Sequence, residues 1–479
     1  MKSIFFLATG LLLYIAGFSQ NIGIGTNTPA EKFHVAGNIK GDTIKSNGLN
    51  ILSNAASGKV LTSDASGNAS WQERSAGGGV GFGSWGDCSL NGVIEYNPLA
   101  DATGAADDHF GSVVSISGNY AIVGAYADDA GATPDQGSAS IYQYDGSTWV
   151  LMQKLTDATG AAYDFFGSVV SISGNYAIVG AFGDDAGVNG DQGSASIYWY
   201  NSNSWVLMQK LTDPTGAVND HFGSNVSIFG NYAIVGAYQD DVGANVDQGS
   251  ASIYQYNGSN WVLMQKLTDP AGAGNDGFGI SVSIFGNYAI VGAYLDNAGT
   301  NVDQGSVSIY QNSGSTWLLM QKLTDATGVA NDYFGYSVSI SGNYAIVGAY
   351  SDDVGTNTNQ GSASIYYYNG SSWVLMQQII DPAGAGGDLF GISVSISGNY
   401  AIVGAYADDV GVNPDQGSAN IYLRVGLGWQ KLQYITDPRG TSNDNFGSVT
   451  VIDNTTKRFL IGAPGYAGSS GKVVFGKVN

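Results

Sequence analysis

A phenylalanine–glycine pair recurs in this chain at Phe110, Phe166, Phe222, Phe278, Phe334, Phe390 and Phe446, always 56 residues apart. Trp149, Trp205, Trp261, Trp317, Trp373 and Trp429 keep the same period. A unit of this size cannot bury its own apolar faces, so seven in-register copies must cover one another. The first copy holds four short runs rich in Val, Ile, Tyr and Trp, at 111–117, 120–126, 138–144 and 149–155. Such runs read as strands. Tight-turn signals separate them: Ser117-Gly118-Asn119, and Asp145-Gly146 with its counterparts Asn257-Gly258 and Asn369-Gly370.

Tyr120, Ala121, Ile122 and Val123 are apolar at successive positions, so both faces of each small sheet need cover. Sheets stacked around a ring supply it, and the expected fold is all-β, a seven-bladed β-propeller of four-stranded blades. A β-solenoid is the rival, but its units are usually shorter. After Phe446 there is room for three strands only, at 447–452, 459–463 and 472–478. Residues 92–99 lie in the register of a missing fourth strand, with Val93 in the tryptophan position. The last blade is therefore expected to combine one N-terminal and three C-terminal strands, which removes two open sheet edges.

The chain of 479 residues is too long for one ordinary core. Residues 1–20 read as a signal peptide: Lys2, an apolar run over 4–16, then small or polar residues. That run is short for a bilayer and no later stretch is long and apolar enough, so the expected location is secreted or at the outer cell surface. One cysteine, Cys88, supports no internal disulfide framework. A net charge of −22 argues against nucleic acid and against anionic membrane surfaces. Residues 76–90 read as a Gly-rich linker and 91–479 as the propeller.

Phe110-Gly111 followed by Val123-Gly124-Ala125 resembles the FG-GAP repeat of integrin α-subunit heads and of many bacterial exported proteins. The seventh copy, Ile461-Gly462-Ala463-Pro464, carries the full Gly-Ala-Pro. The resemblance implies the propeller fold; function must be argued from the site. Integrin heads bind Ca²⁺ in an Asp-rich loop between strands 1 and 2, where this chain has only Ser117-Gly118-Asn119, so those metal residues do not carry over. Over 21–75, Ile22-Gly23-Ile24-Gly25-Thr26, Pro29 and Phe33-His34-Val35-Ala36-Gly37 resemble segments at the base of tail-fibre-like surface proteins. That resemblance implies a small β stalk and a homotrimer through this segment.

Catalytic chemistry is sparse. The histidines are His34, His109 and His221, and no nucleophile–base pairing or histidine metal triad is visible, so no enzyme is expected. His109 and His221 share a repeat position with Phe165, Gly277 and Tyr333, which reads as a variable loop residue. The acidic residues are more informative. A four-stranded meander puts the strand 2–3 loops and the blade connections on one face. Those loops carry Asp128, Asp129 and Asp135, repeated as Asp184, Asp185 and Asp191, Asp240, Asp241 and Asp247, and Asp408, Asp409 and Asp415. Arg439 is the one cation expected among them.

Two readings of these aspartates stand side by side: turn chemistry, or a metal-binding face for Ca²⁺, which favours several oxygen ligands. Loop differences at Ala127, Gly183, Gln239, Leu295, Ser351 and Ala407 also fall on this face. The expected function is adhesion or surface recognition of a protein or glycan through the acidic face, with Ca²⁺ assistance. The alternative is a structural scaffold subunit of a larger surface or secreted complex.

Overall fold

The computed structural model describes residues 22–24, 33–35, 59–63, 69–73, 99–101, 103–129 and 133–478. The chain divides into two units, Met1–Gly81 and Phe82–Asn479. In the first, Ile22–Ile24 pairs in parallel with Phe33–Val35, and Lys59–Ser63 pairs antiparallel with Ala69–Glu73. The predicted signal peptide, linker and Cys88 lie outside the described residues, as does most of the stalk segment.

The second unit is the predicted propeller. Blade 1 is Val113–Ser117, Tyr120–Ala125, Ser138–Tyr144 and Trp149–Leu155, an antiparallel meander close to the sequence expectation. Blades 2 to 6 repeat it, with first strands Val169–Ser173, Asn225–Phe229, Phe278–Phe285, Ser337–Ser341 and Ser393–Ser397. Blade 7 contributes Thr450–Asp453, Arg458–Ala463 and Lys472–Lys477. First strands of consecutive blades pack on one another, and Thr450–Asp453 packs on Val113–Ser117, which closes the ring. These strands line its inside.

The seventh blade closes in the expected register. Leu99 bridges antiparallel to Val473 through two 2.9 Å backbone hydrogen bonds, the pairing that Leu155 makes with Ala139 in blade 1. Residues 92–98 lie outside the described set.

The Phe-Gly motif is explained by packing between blades. All seven phenylalanines are almost completely buried. The glycine after each adopts a left-handed conformation, as at Gly167 with φ 90°. A Cβ on Gly124, in the Gly-Ala motif of blade 1, would lie 2.0 Å from the carbonyl oxygen of Gly167 in blade 2. The two glycines are thus one contact seen from two blades, and Gly462 meets Gly111 the same way where the ring closes.

The core follows the same plan, because each hydrophobic cluster spans two blades. Ile122, Ile141 and Leu155 of blade 1 pack with Phe166, Val170 and Trp205 around blade 2. Polar zippers border this core. Ser115 Oγ accepts the Ile172 N–H at 3.1 Å inside the ring. Outside, the Gln153 side chain donates to the Trp205 carbonyl at 3.0 Å and accepts its N–H at 2.9 Å.

Candidate binding face

Strand 2–3 loops and blade connections share one face, and there the acidic triplets are taken apart. Asp128 is buried; its carboxylate accepts the Ser138 hydroxyl at 2.5 Å and meets the Lys154 ammonium at 2.5 Å. The same ammonium lies 2.8 Å from Asp101, in the connection entering blade 1. Lys154 therefore clips a blade connection to a strand 2–3 loop. Lys210 joins Asp157 to Asp184 at 2.8 and 2.5 Å, Lys266 joins Asp213 to Asp240 at 2.7 and 2.5 Å, and Lys322 joins Asp269 to Asp296 at 2.5 Å each. The expectation that Arg439 is the one cation of this face is thereby corrected. The lysines end the outer strands, and their long stems carry the charge round to the loops.

The second aspartate of each triplet shapes its own loop. Asp129, Asp185, Asp241 and Asp409 are exposed, and each accepts the backbone N–H of the third aspartate at 3.0 Å. The third, at Asp135, Asp191, Asp247 and Asp415, is left-handed, with φ between 47° and 53°. Asp and Asn tolerate that conformation best among residues with a Cβ, which accounts for Asn359 in blade 5. Among the described residues, no group of three His, Cys, Asp or Glu side chains is placed to hold a metal ion.

The last three blades vary the clip. Blade 5 replaces lysine by Gln378, whose amide sits 3.2 Å from Asp325 and 3.3 Å from Asp352. In blade 6 the Tyr434 hydroxyl donates to Asp408 at 2.8 Å, while Asn420 and Lys431 reach Asp381 at 2.8 and 3.3 Å. In blade 7 the buried Lys472 pairs with Asp437 and lies 3.5 Å from Asp444.

A further buried carboxylate closes each connecting turn. Asp164, Asp276, Asp332 and Asp388 accept N–H groups three residues back at 2.5–2.6 Å. Burial raises all four to about 6 against that bond. Asp157 and Asp213 go the other way. Burial would raise them, but the hydrogen bonds from Lys210 and Lys266 lead a set of contacts that brings them below the usual carboxylate range.

One feature of this face escaped the sequence reading. The residue before each Phe-Gly pair is left-handed in every blade: His109, Phe165, His221, Gly277, Tyr333, Leu389 and Asn445, with φ between 54° and 64°. Bulky side chains are strained there. The strained rings lie against the aromatic residue that follows the second strand of the same blade. His109 stacks on Tyr126 at 5.0 Å, Phe165 on Phe182 at 5.0 Å, and Tyr333 on Tyr350 at 5.3 Å, while His221 tilts over Tyr238 at 5.7 Å. Tyr126 with Phe165, Phe182 with His221, and Tyr294 with Tyr333 link neighbouring blades at 5.5–6.2 Å. The result is a half-buried aromatic collar at the loop-face end of the inner strands. Its sequence signal was the pairing of two positions, an aromatic after Gly-Ala and a bulky residue before Phe-Gly.

A ring of seven meander blades with one elaborated loop face defines a propeller of the binding or scaffold class. The chain belongs to the FG-GAP repeat family, whose repeat it matches over residues 97–142, 149–198, 205–254, 261–310, 317–366 and 373–422. No curated protein matches it. Among solved structures it is similar to a periplasmic gluconolactonase of Pseudomonas aeruginosa, with 13% identity, TM-score 0.44, and coverage of 69% of this chain and 87% of that one. It is also similar to Sqt1 of Saccharomyces cerevisiae, with 9% identity, TM-score 0.42, and coverage of 80% and 98%.

Proposed function

We propose that this protein is an exported binding module, not an enzyme, that recognises a protein or glycan through its loop face. The aromatic collar carries this reading. Strained left-handed aromatics recur at His109, Phe165, His221 and Tyr333, although Gly277 shows that the backbone accepts glycine there. Strain kept without need of the fold points to a role in contact. The half-buried rings offer large, rigid contact area, as recognition surfaces do. Export rests on the reading of residues 1–20.

The test is a glycan and extracellular-protein array probed with the full mature chain and with a variant carrying glycine at 109, 165, 221 and 333. Binding is expected to disappear in the variant while its melting temperature holds or rises. Ligands retained by the variant at full affinity overturn the loop-face assignment.

A scaffold role is the second reading, and a different surface favours it. The outer strands of blades 1 to 5 expose apolar pairs: Val150 and Leu151, Val206 and Leu207, Val262 and Leu263, Leu318 and Leu319, Val374 and Leu375. Apolar edge positions of this kind invite association. Under this reading, Val206→Thr with Leu207→Gln abolishes complex formation and the glycine variant does not.

A further inference from the structure

The collar is not uniform. Tyr336 stands where the other blades have Ser112, Ser168, Ser224, Ile280, Ile392 and Ser448. Its ring lies 5.7 Å from Tyr294 of blade 4 and 4.7 Å from Tyr350 of blade 5. Tyr333 meets both, at 5.9 and 5.3 Å. All four are half-buried and keep part of their surface towards solvent. Burial raises the Tyr336 phenol, and the phenols of Tyr294 and Tyr406 add to the rise. Burial likewise raises Tyr350, followed by Tyr336, Tyr333, Tyr294 and Tyr406. Tyr238 of blade 3 feels Tyr336 as well, after burial and Asp247. Phenols of blades 4 and 5 thus meet in one place, and besides burial the groups that act on Tyr336 and Tyr350 are other phenols.

We propose that this tyrosine cluster binds an uncharged carbohydrate. The assignment rests on the loop face being the recognition surface, and it names the ligand class. A sugar presents an apolar C–H face and a girdle of hydroxyls. It needs aromatic planes beside groups that both donate and accept hydrogen bonds, and the phenol is both. Ring faces also attract cations. At this cluster, however, no carboxylate is among the groups that act on Tyr336 and Tyr350, whereas Asp303 acts on Tyr294 and Asp247 on Tyr238. An anionic glycan meets a chain of net charge −22 and is repelled.

Calorimetric titration of the full mature chain with neutral linear oligosaccharides of glucose, mannose, xylose and N-acetylglucosamine tests this. Ligand is carried to about 10 mM, so that a weak site with Kd of about 1 mM is seen. A uronate oligosaccharide and a Lys/Arg-rich peptide are the comparison arms. Tyr336→Ser and Tyr333→Gly copy residues that other blades carry at these positions, so both keep a backbone-compatible sequence. Tyr336→Phe keeps the ring and removes the hydroxyl.

The expected result is binding of at least one neutral oligosaccharide, none of the uronate, and a loss of tenfold or more in Tyr336→Ser at unchanged melting temperature. Tyr336→Phe is expected to fall between Tyr336→Ser and the natural chain. Absence of neutral-sugar binding, or equal affinity in Tyr336→Ser, overturns the proposal. Binding of the basic peptide alone, lost in the four-glycine variant, overturns the carbohydrate assignment and leaves the loop-face reading standing. Sugar binding that survives both Tyr336→Ser and the four-glycine variant overturns both.

Discussion

At the scale of the residue, the acidic face is a set of repeated ion clips, and their energetics follow from burial. Lys210 keeps about a quarter of its side chain exposed, at 27%, while Asp157 and Asp184 are each at 8%. Lys210→Met leaves two largely buried carboxylates facing each other. A loss of about 1–3 kcal/mol is expected, below the fully buried range because the lysine is partly screened by water. Gln378→Lys restores the missing clip between Asp325 and Asp352 and is expected to raise stability by about 1 kcal/mol. Urea denaturation of both variants checks this pair, and a Gln378→Lys midpoint at or below that of the natural chain defeats it.

The same residues predict the pH dependence. Asp164, Asp276, Asp332 and Asp388 titrate at about 6 in the folded chain against 3.8 unfolded, so the folded state holds more protons between those values. Stability from these groups therefore falls as pH rises through about 4 to 6. Asp101, Asp157, Asp213 and Asp381 lie below their ordinary value, and their contribution is lost as pH drops under about 4. A melting maximum near pH 4–5 is expected, and a curve still climbing from pH 5 to 7 contradicts it. The aspartates were legible in the sequence as loop acids. Their partners were not, because Lys210 reaches Asp157 across 53 residues and a blade boundary.

At the scale of the element, strand positions were legible because apolar runs and turn residues alternate within each copy. The expected 120–126 and 138–144 became Tyr120–Ala125 and Ser138–Tyr144. Illegible were the Ser115 and Gln153 zippers to the neighbouring blade, the bulge between Ile141 and Tyr142 within blade 1, and the left-handed collar. Each depends on a partner from another copy or on a backbone angle, and residue type alone reports neither.

Two glycines separate these levels. A Cβ on Gly236 would meet the Gly279 carbonyl of the next blade at 2.1 Å, and backbone cannot step aside as a side chain can. Gly236→Ala is expected to cost at least about 2–3 kcal/mol. Gly258, in an open hairpin turn at φ 100°, has nothing within 4 Å of a Cβ. Gly258→Ala costs only backbone strain, about 1 kcal/mol. Equal losses for the two in thermal unfolding contradict the blade-contact explanation of the motif.

At the scale of the whole molecule, the question is what keeps a ring of nearly identical blades shut. The three C-terminal strands of blade 7 meet the start of the array at two places, the first being their packing on blade 1. There Arg458 lies 3.7 Å over the Tyr144 ring and donates to Asn119 at 2.9 Å, while Phe475 packs against Trp149 at 5.7 Å. The second closure is within blade 7 itself, where Leu99 pairs with Val473 and Asp101 is held by Lys154 of blade 1. An internal deletion of 92–101 removes the Leu99–Val473 pairing and one clip together. It uncovers the edge of Lys472–Lys477, whose Val473, Val474 and Phe475 are buried in the intact ring. An unpaired edge of that composition recruits other chains. The deleted protein is therefore expected to form soluble oligomers or aggregates in light scattering and to melt well below the natural chain. Arg458→Ala, which weakens only the contact between blades, is expected to lower the melting point while the protein keeps its natural oligomeric state. If the deletion leaves both mass and melting unchanged, the terminal strand does not close the ring.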